Sequence, residues 1–225
     1  ACKLDVYNIY GASNKASYTP NDPTLISPVV NVIHIAQAKG VRENALGGGK
    51  GSTATVTSNP LVNIGYDDSM ASLLPSGYPA TSRRAYVNGS VFGGGQLAQV
   101  IGNTKVVMQH ASDTVNMDVH GGGLGDETLE HPEYAQVSGN TEVEVTAGLV
   151  GGNVFGGGSL AAVSGNTQVT INGGIIGKPL KYWERHVNSA SNPVIVSGGD
   201  VYGGGRGVTR TSQDLHENSV TAGRI

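Results

Sequence analysis

Several stretches of this chain carry side chains able to do chemistry. Gly47-Gly48-Gly49-Lys50-Gly51-Ser52 has the glycine and lysine content of a phosphate-binding loop. Such a loop needs Ser or Thr directly after the Lys and then a helix, so that N–H groups, ammonium and hydroxyl converge on the phosphates. Gly51 breaks that order and the β-prone Thr53-Ala54-Thr55-Val56 follows, so a structural corner is the better reading. Gly122-Gly123-Leu124-Gly125-Asp126 is close to a calcium-binding nonapeptide, but the acid comes one residue early and the pattern occurs once. Calcium sites of that kind need consecutive turns.

Asp126, Glu127, Glu130, His131 and Glu133 gather in one proline-containing stretch. Paired carboxylates could act as acid and base on a polysaccharide; a solvated acidic rim is the plainer expectation. Tyr182-Trp183-Glu184-Arg185-His186 holds the single tryptophan. Tyr182, Trp183 and Arg185 form a candidate recognition patch, since an aromatic ring beside charge can stack on a sugar or anchor a partner protein. The alternative is a loop clasp with Trp183 packed on the body of the protein. The six histidines lack metal-ligand spacing, and no nucleophile motif is present. No catalytic residue, metal or cofactor is therefore expected.

The elements that would position these residues come from a repeat. Glycine triplets begin at Gly47, Gly93, Gly121, Gly156 and Gly203, spaced 46, 28, 35 and 47 residues apart. Four follow valine plus a ring: Val91-Phe92, Val119-His120, Val154-Phe155 and Val201-Tyr202; Ala45-Leu46 is a weaker copy. Downstream, Gly-Asn-Thr recurs with Asn103, Asn140 and Asn166, followed by alternating apolar residues such as Thr167, Val169 and Ile171. Removing apparent insertions near 58–85, 126–134 and 178–197 leaves a period of roughly 27 residues, within the range of stacked repeats. These insertions hold most of the later prolines, which cannot donate to a β ladder.

Period-two alternation of β-branched residues marks strands. A unit this short cannot bury its own apolar face, but stacked copies bury a continuous interior. The expected fold is all-β, a parallel β-helix of about five coils with long loop insertions. Residues 1–30 are expected to be an atypical strand, turn or cap, a degenerate first rung, and 31–225 the repeat domain, with Asn31 to Ile35 a strand. A propeller blade uses longer, four-stranded units and no glycine triplet.

Each glycine in regular structure costs roughly 0.5–1 kcal/mol against alanine. The triplets Gly93-Gly94-Gly95, Gly121-Gly122-Gly123, Gly156-Gly157-Gly158 and Gly203-Gly204-Gly205 should therefore sit at corners. There φ is positive or neighbouring coils leave no room for a Cβ. Asn103, Asn140 and Asn166 should form a hydrogen-bonded ladder, and Phe92, His120, Phe155 and Tyr202 a parallel column.

Composition narrows the function. Charged residues make up 14% and the formal net charge is -3, which leaves no basic stripe for nucleic acid. No apolar run is long enough for a membrane span. The single cysteine, Cys2, excludes an internal disulfide framework, and Ala1-Cys2 fits either a lipidated terminus or a plain thiol. The uncharged polar surface suits an extracellular β protein.

The wording Val-Phe-Gly-Gly-Gly followed by Gly-Asn-Thr-x-Val-x-Ile-Asn-Gly-Gly resembles the glycine-rich arrays of very large surface proteins and adhesins of anaerobic bacteria. The resemblance covers roughly 45–208 and departs from those arrays in the insertions and in lacking Gly-Asn-Thr in the first and last repeats. It implies an extracellular or cell-surface β-solenoid, a structural stalk or adhesive region without catalytic residues. Expected partners are a polysaccharide or a neighbouring surface protein. Two other roles stay open: a carbohydrate-binding or polysaccharide-degrading β-helix using the loop acids, and a filament subunit associating end to end through exposed strand edges.

Overall fold

The structure, a computed structural model, describes residues 5–33, 40–65, 73, 85–177 and 199–207. It is an all-β parallel solenoid. Each coil contributes one strand to each of three parallel sheets. The first sheet stacks β1 (Asp5–Val6), β4 (Gly40–Val41), β7 (Tyr86–Val87), β10 (Thr114–Val115), β13 (Leu149–Val150) and β16 (Ile175–Ile176). The second stacks β2 (Ile9–Tyr10), β5 (Ala45–Leu46), β8 (Val91–Phe92), β11 (Val119–His120), β14 (Val154–Phe155) and β17 (Val201–Tyr202). The third holds the longer strands β3 (Ile26–Val32), β6 (Asn59–Ile64), β9 (Thr104–Met108), β12 (Thr141–Val145) and β15 (Thr167–Ile171). Two sheets of 6 strands and one of 5 make five complete coils and the start of a sixth.

The inward residues explain why the copies stack. Val62, Val106 and Val143 lie in register on the third sheet, and Val87, Val115 and Val150 on the first; all are buried in one continuous core. Between the second and third sheets the chain leaves this core as a side lobe. Single-residue bridges join Tyr18, Val56, Val100, Val137 and Val163 from coil to coil, and these valines form a second, smaller core.

The glycine triplets sit at the neck of that lobe. None adopts a positive φ, so close approach is the reason for them. A Cβ on Gly121 would lie 2.2 Å from the carbonyl oxygen of Gly156 in the next coil and 3.0 Å from Thr141 Cβ. The middle glycines repeat the contact. A Cβ on Gly94 would lie 2.8 Å from the Gly123 nitrogen, one on Gly122 2.6 Å from the Gly158 nitrogen, and one on Gly157 2.8 Å from the Gly205 nitrogen. The chain turns here with backbone stacked directly on backbone. The N–H groups of Gly94, Gly122 and Gly157 donate to the carbonyls of Gly122, Gly157 and Gly204, each one coil on. Thr104 and Thr141, first residues of their long strands, donate their hydroxyls across the neck to the carbonyls of Gly121 and Gly156 (2.6 and 2.5 Å).

The last triplet differs from the expected packing. Gly203 is exposed and Gly204 and Gly205 are only half-buried, and a Cβ on Gly203 would meet nothing within 4 Å. Gly203 and Gly204 close the coil before them, but no described coil stacks on their other side.

The structure departs from the expected boundaries in two further places. Asn59–Ile64 is a strand of the third sheet, not part of an insertion beginning at 58. Pro60 lies inside it, buried at the place threonine fills in later coils, and packs against Gly47 at the lobe neck. Strand β3 runs through the boundary placed at 30; the atypical first rung expected before it is a coil that begins at Asp5 and lies in register with the next. Its Ile9-Tyr10-Gly11 is a copy of the ring-glycine motif, masked by the loss of two glycines. Residues 126–134 form turns outside the coil; the 178–197 insertion lies outside the described residues.

Candidate functional site

Two polar ladders run up the solenoid, and each lies beside a depression. The expected one rises along the start of the third sheet. The backbone N–H of Asn103 donates to Asn59 Oδ1 (2.9 Å), that of Asn140 to Asn103 Oδ1 (2.8 Å) and that of Asn166 to Asn140 Oδ1 (2.8 Å). The bonds join side-chain carbonyl to backbone, not amide to amide as a simple side-chain ladder would. Asn59 belongs to the row although its Gly-Asn-Thr context is missing. Its place could have been read from Ser58-Asn59-Pro60 aligned with Gly102-Asn103-Thr104.

The second ladder was not read from the sequence. It links the residues just before each second-sheet strand: Asn8, Asn44, Ser90, Asp118, Asn153 and Asp200. Each of the last five donates its N–H to a side-chain oxygen of the residue one coil back, at 2.8 to 3.2 Å. The signal was present in the small polar residue that precedes every apolar-ring pair.

A groove of about 500 Å³ lies along the first ladder. One wall carries Asn59, Asn103, Asn140 and Asn166. The other carries the first outward residues of the long strands, Leu61, Lys105, Glu142 and Gln168, in register from coil to coil. Lys105 Nζ bridges Glu142 (2.8 Å) and Glu144 (3.4 Å). Its hydrogen bond to Glu142 raises its pKa above the ordinary ammonium value. This ion pair is half exposed and contributes little to stability. The amide nitrogens of Asn103, Asn140 and Asn166 have no partner among the described residues, and all three side chains are exposed.

The second depression, about 640 Å³, is lined by Asn44 and Ser90 of the second ladder and by Phe92 of the ring column. Phe92 and His120 stack at 4.8 Å between centroids, His120 and Phe155 at 4.7 Å, and Phe155 and Tyr202 at 5.0 Å, with interplanar angles of 3°, 4° and 10°. The expected column is therefore present, continued by Leu46 and Tyr10 in register. His120 is 1% exposed, and both of its ring nitrogens lack hydrogen bonds among the described residues. Asp118 Oδ2, at 3.9 Å from Nε2, is beyond hydrogen-bond reach and sits 3.6 Å from Arg206. Burial, aided by the Arg206 charge, drives the His120 pKa down to about 3. The ring is neutral at neutral pH and stacks as an aromatic spacer in the column.

One more titratable group is buried. Asp113, 1% exposed, accepts the Ala85 N–H on Oδ1 (2.9 Å) and the His110 N–H on Oδ2 (3.0 Å). Burial pushes its pKa up to about 6, against the opposing pull of those N–H groups and of His110. Its carboxylate occupies the space a Gly65 Cβ would need.

The remaining candidates fall as follows. Gly47 to Gly49 form a lobe neck, and Lys50 bridges to Asn14 in the preceding coil. In the acidic stretch, Asp126 closes a turn onto the Thr128 N–H and hydroxyl (3.0 and 2.7 Å), and Thr128 holds its pKa below the usual carboxylate range. His131 pairs with Glu133 at 3.0 Å and stacks on Tyr134. Glu127 alone of these acids reaches the second depression. No group of three or more His, Cys, Asp or Glu able to hold a metal exists among the described residues. Tyr182, Trp183 and Arg185 lie outside the described residues. Among the described residues, no helix is long and apolar enough to cross a membrane. No protein-family model, curated protein or solved structure matches the chain.

Proposed function

We propose that this chain is a rigid structural or adhesive module of a secreted or cell-surface protein, a coil segment that displays its outer faces to a partner. The observation that carries the reading is the unbroken register of the second sheet over six strands, with every lobe neck closed on the next by glycine. Each coil is thereby locked to its neighbours by backbone hydrogen bonds, two side-chain ladders and a ring column. Such an array resists bending and local opening. The described coils rise about 24 Å along the axis, at about 4.8 Å per step. The module is thus one segment of a shaft or display surface.

Two measurements test this. Hydrogen–deuterium exchange should show coils 2 to 5 protected as one cooperative block; fast, independent opening of an interior coil would remove the case for a rigid scaffold. An antibody raised to the folded protein should label intact producing cells. Labelling that requires lysis would overturn the surface location.

A further inference from the structure

The two ladders do the same structural work with different residues, and the difference points to a ligand. Each rung needs only a side-chain oxygen to accept the next coil's N–H. The ladder before the second sheet meets that need with Asn8, Asn44, Ser90, Asp118 and Asn153. Asp118 Oδ1 takes the Asn153 N–H at 2.8 Å, so a carboxylate serves as well as an amide. The ladder beside the groove is asparagine at all four rungs, Asn59, Asn103, Asn140 and Asn166. Stacking accounts for Oδ1, and at Asn59 the NH2 group holds the carbonyls of Pro23, Thr24 and Leu25 (3.1 to 3.3 Å); the other three NH2 groups stay unexplained. At Asn103, Asn140 and Asn166 those groups are exposed, unpartnered among the described residues, and set along the wall of the 500 Å³ groove.

We infer that this groove binds a neutral, linear polysaccharide laid along the solenoid axis, about one sugar ring per coil. Four features select that ligand class. The donors repeat at the coil spacing of about 4.8 Å, whereas an extended peptide rises about 3.4 Å per residue and drifts out of step. Facing the amide row are Glu142, whose carboxylate accepts, and Gln168, whose amide both accepts and donates. A hydroxyl, which both accepts and donates, can bridge the two walls. The carboxylates Glu142 and Glu144, paired with the single cation Lys105, disfavour a polyanion. Leu61 and Pro60 give one end of the groove an apolar floor suited to a ring face. The inference deepens the scaffold reading by naming what the scaffold holds, and it rests on that reading only for an intact coil.

The test is calorimetric titration of the full chain with hexasaccharides of xylan, mannan, cellulose and chitin, with oligogalacturonate and an extended neutral peptide as comparators. At least one neutral hexasaccharide should bind, and more tightly than either comparator. The triple variant Asn103→Asp, Asn140→Asp, Asn166→Asp keeps every ladder acceptor and removes the donors. It should weaken binding about tenfold or more while circular dichroism and the unfolding midpoint stay near wild type. Asn44→Asp, in the other ladder, should leave binding unchanged. If the triple variant loses its cooperative unfolding, the single Asn140→Asp variant reads the same loss in smaller measure. Failure of every neutral hexasaccharide to bind, binding indifferent to these substitutions, or preference for the oligogalacturonate or peptide would each overturn the groove assignment. A protected, surface-labelled chain that binds none of these sugars would leave the scaffold reading standing.

Discussion

At the residue scale, the two perturbed buried groups pull the pH dependence of stability in opposite directions. His120 titrates near 3 when folded and near 6.5 when unfolded, so the unfolded chain takes up the proton first as pH falls. Its contribution is therefore full above 6.5 and is lost progressively below it. Asp113 behaves oppositely: the folded carboxyl holds its proton up to about 6, so stability falls as pH rises from its unfolded value toward 6. Replacing His120 by Phe extends the Phe92–Phe155 column and removes two unpartnered nitrogens. The variant should be more stable by about 1–3 kcal/mol at pH 7. Its advantage should grow by roughly 1.4 kcal/mol per unit as pH falls from 6 to 4. Asp113→Asn should show the reverse trend against wild type over the same range. Urea unfolding at each pH decides both, and parallel profiles for wild type and variants would refute the assignment.

At the element scale, the lobe neck makes a sharper demand than the strands do. Gly121→Ala forces a Cβ to 2.2 Å from the Gly156 carbonyl oxygen, which no rotamer relieves. The expected loss is about 3 kcal/mol or more. Gly203 has the same sequence context, yet nothing lies within 4 Å of its added Cβ. Gly203→Ala should therefore change the unfolding midpoint little. Equal costs at both positions would mean that conformational freedom, not the neighbouring coil, sets the requirement. The insertions obey the same geometry. Pro60 is accepted within β6 because it replaces the neck threonine, whereas the Asp126 turn is extruded between bridge residues Leu124 and Val137.

At the scale of the whole molecule, stability is close to one-dimensional, since the strands of each coil pair only with those of the coils beside it. Val143 and Val169 are register partners on the third sheet, but Val143 is fully buried and Val169, one coil nearer the open side, is only partly so. Val143→Ala should cost on the order of 2 kcal/mol, and Val169→Ala clearly less. Denaturant titration reads the difference, and equal losses would argue against stacking as the main source of stability. The described final coil also leaves Val201 and Tyr202 about half exposed, in contrast to their enclosed register partners Val154 and Phe155 one coil back.

The alternation of Thr167, Val169 and Ile171, the recurring triplets and the Gly-Asn-Thr motif were enough to determine a parallel solenoid, its asparagine row and its ring column. All of these depend on residue type at a fixed repeat position, and period survives in a one-dimensional string. The lobe neck and the hydrogen bonds of the second polar ladder were decided only in three dimensions, because they depend on which backbone lies one coil away. The contrast between Gly94, pressed against Gly123, and Gly204, with no described coil beyond it, has the same origin. The groove belongs to this class too. Asn103 and Lys105 are neighbours in sequence, but only stacking sets their rows opposite one another across successive coils, with the amide donors left over once the ladder is complete.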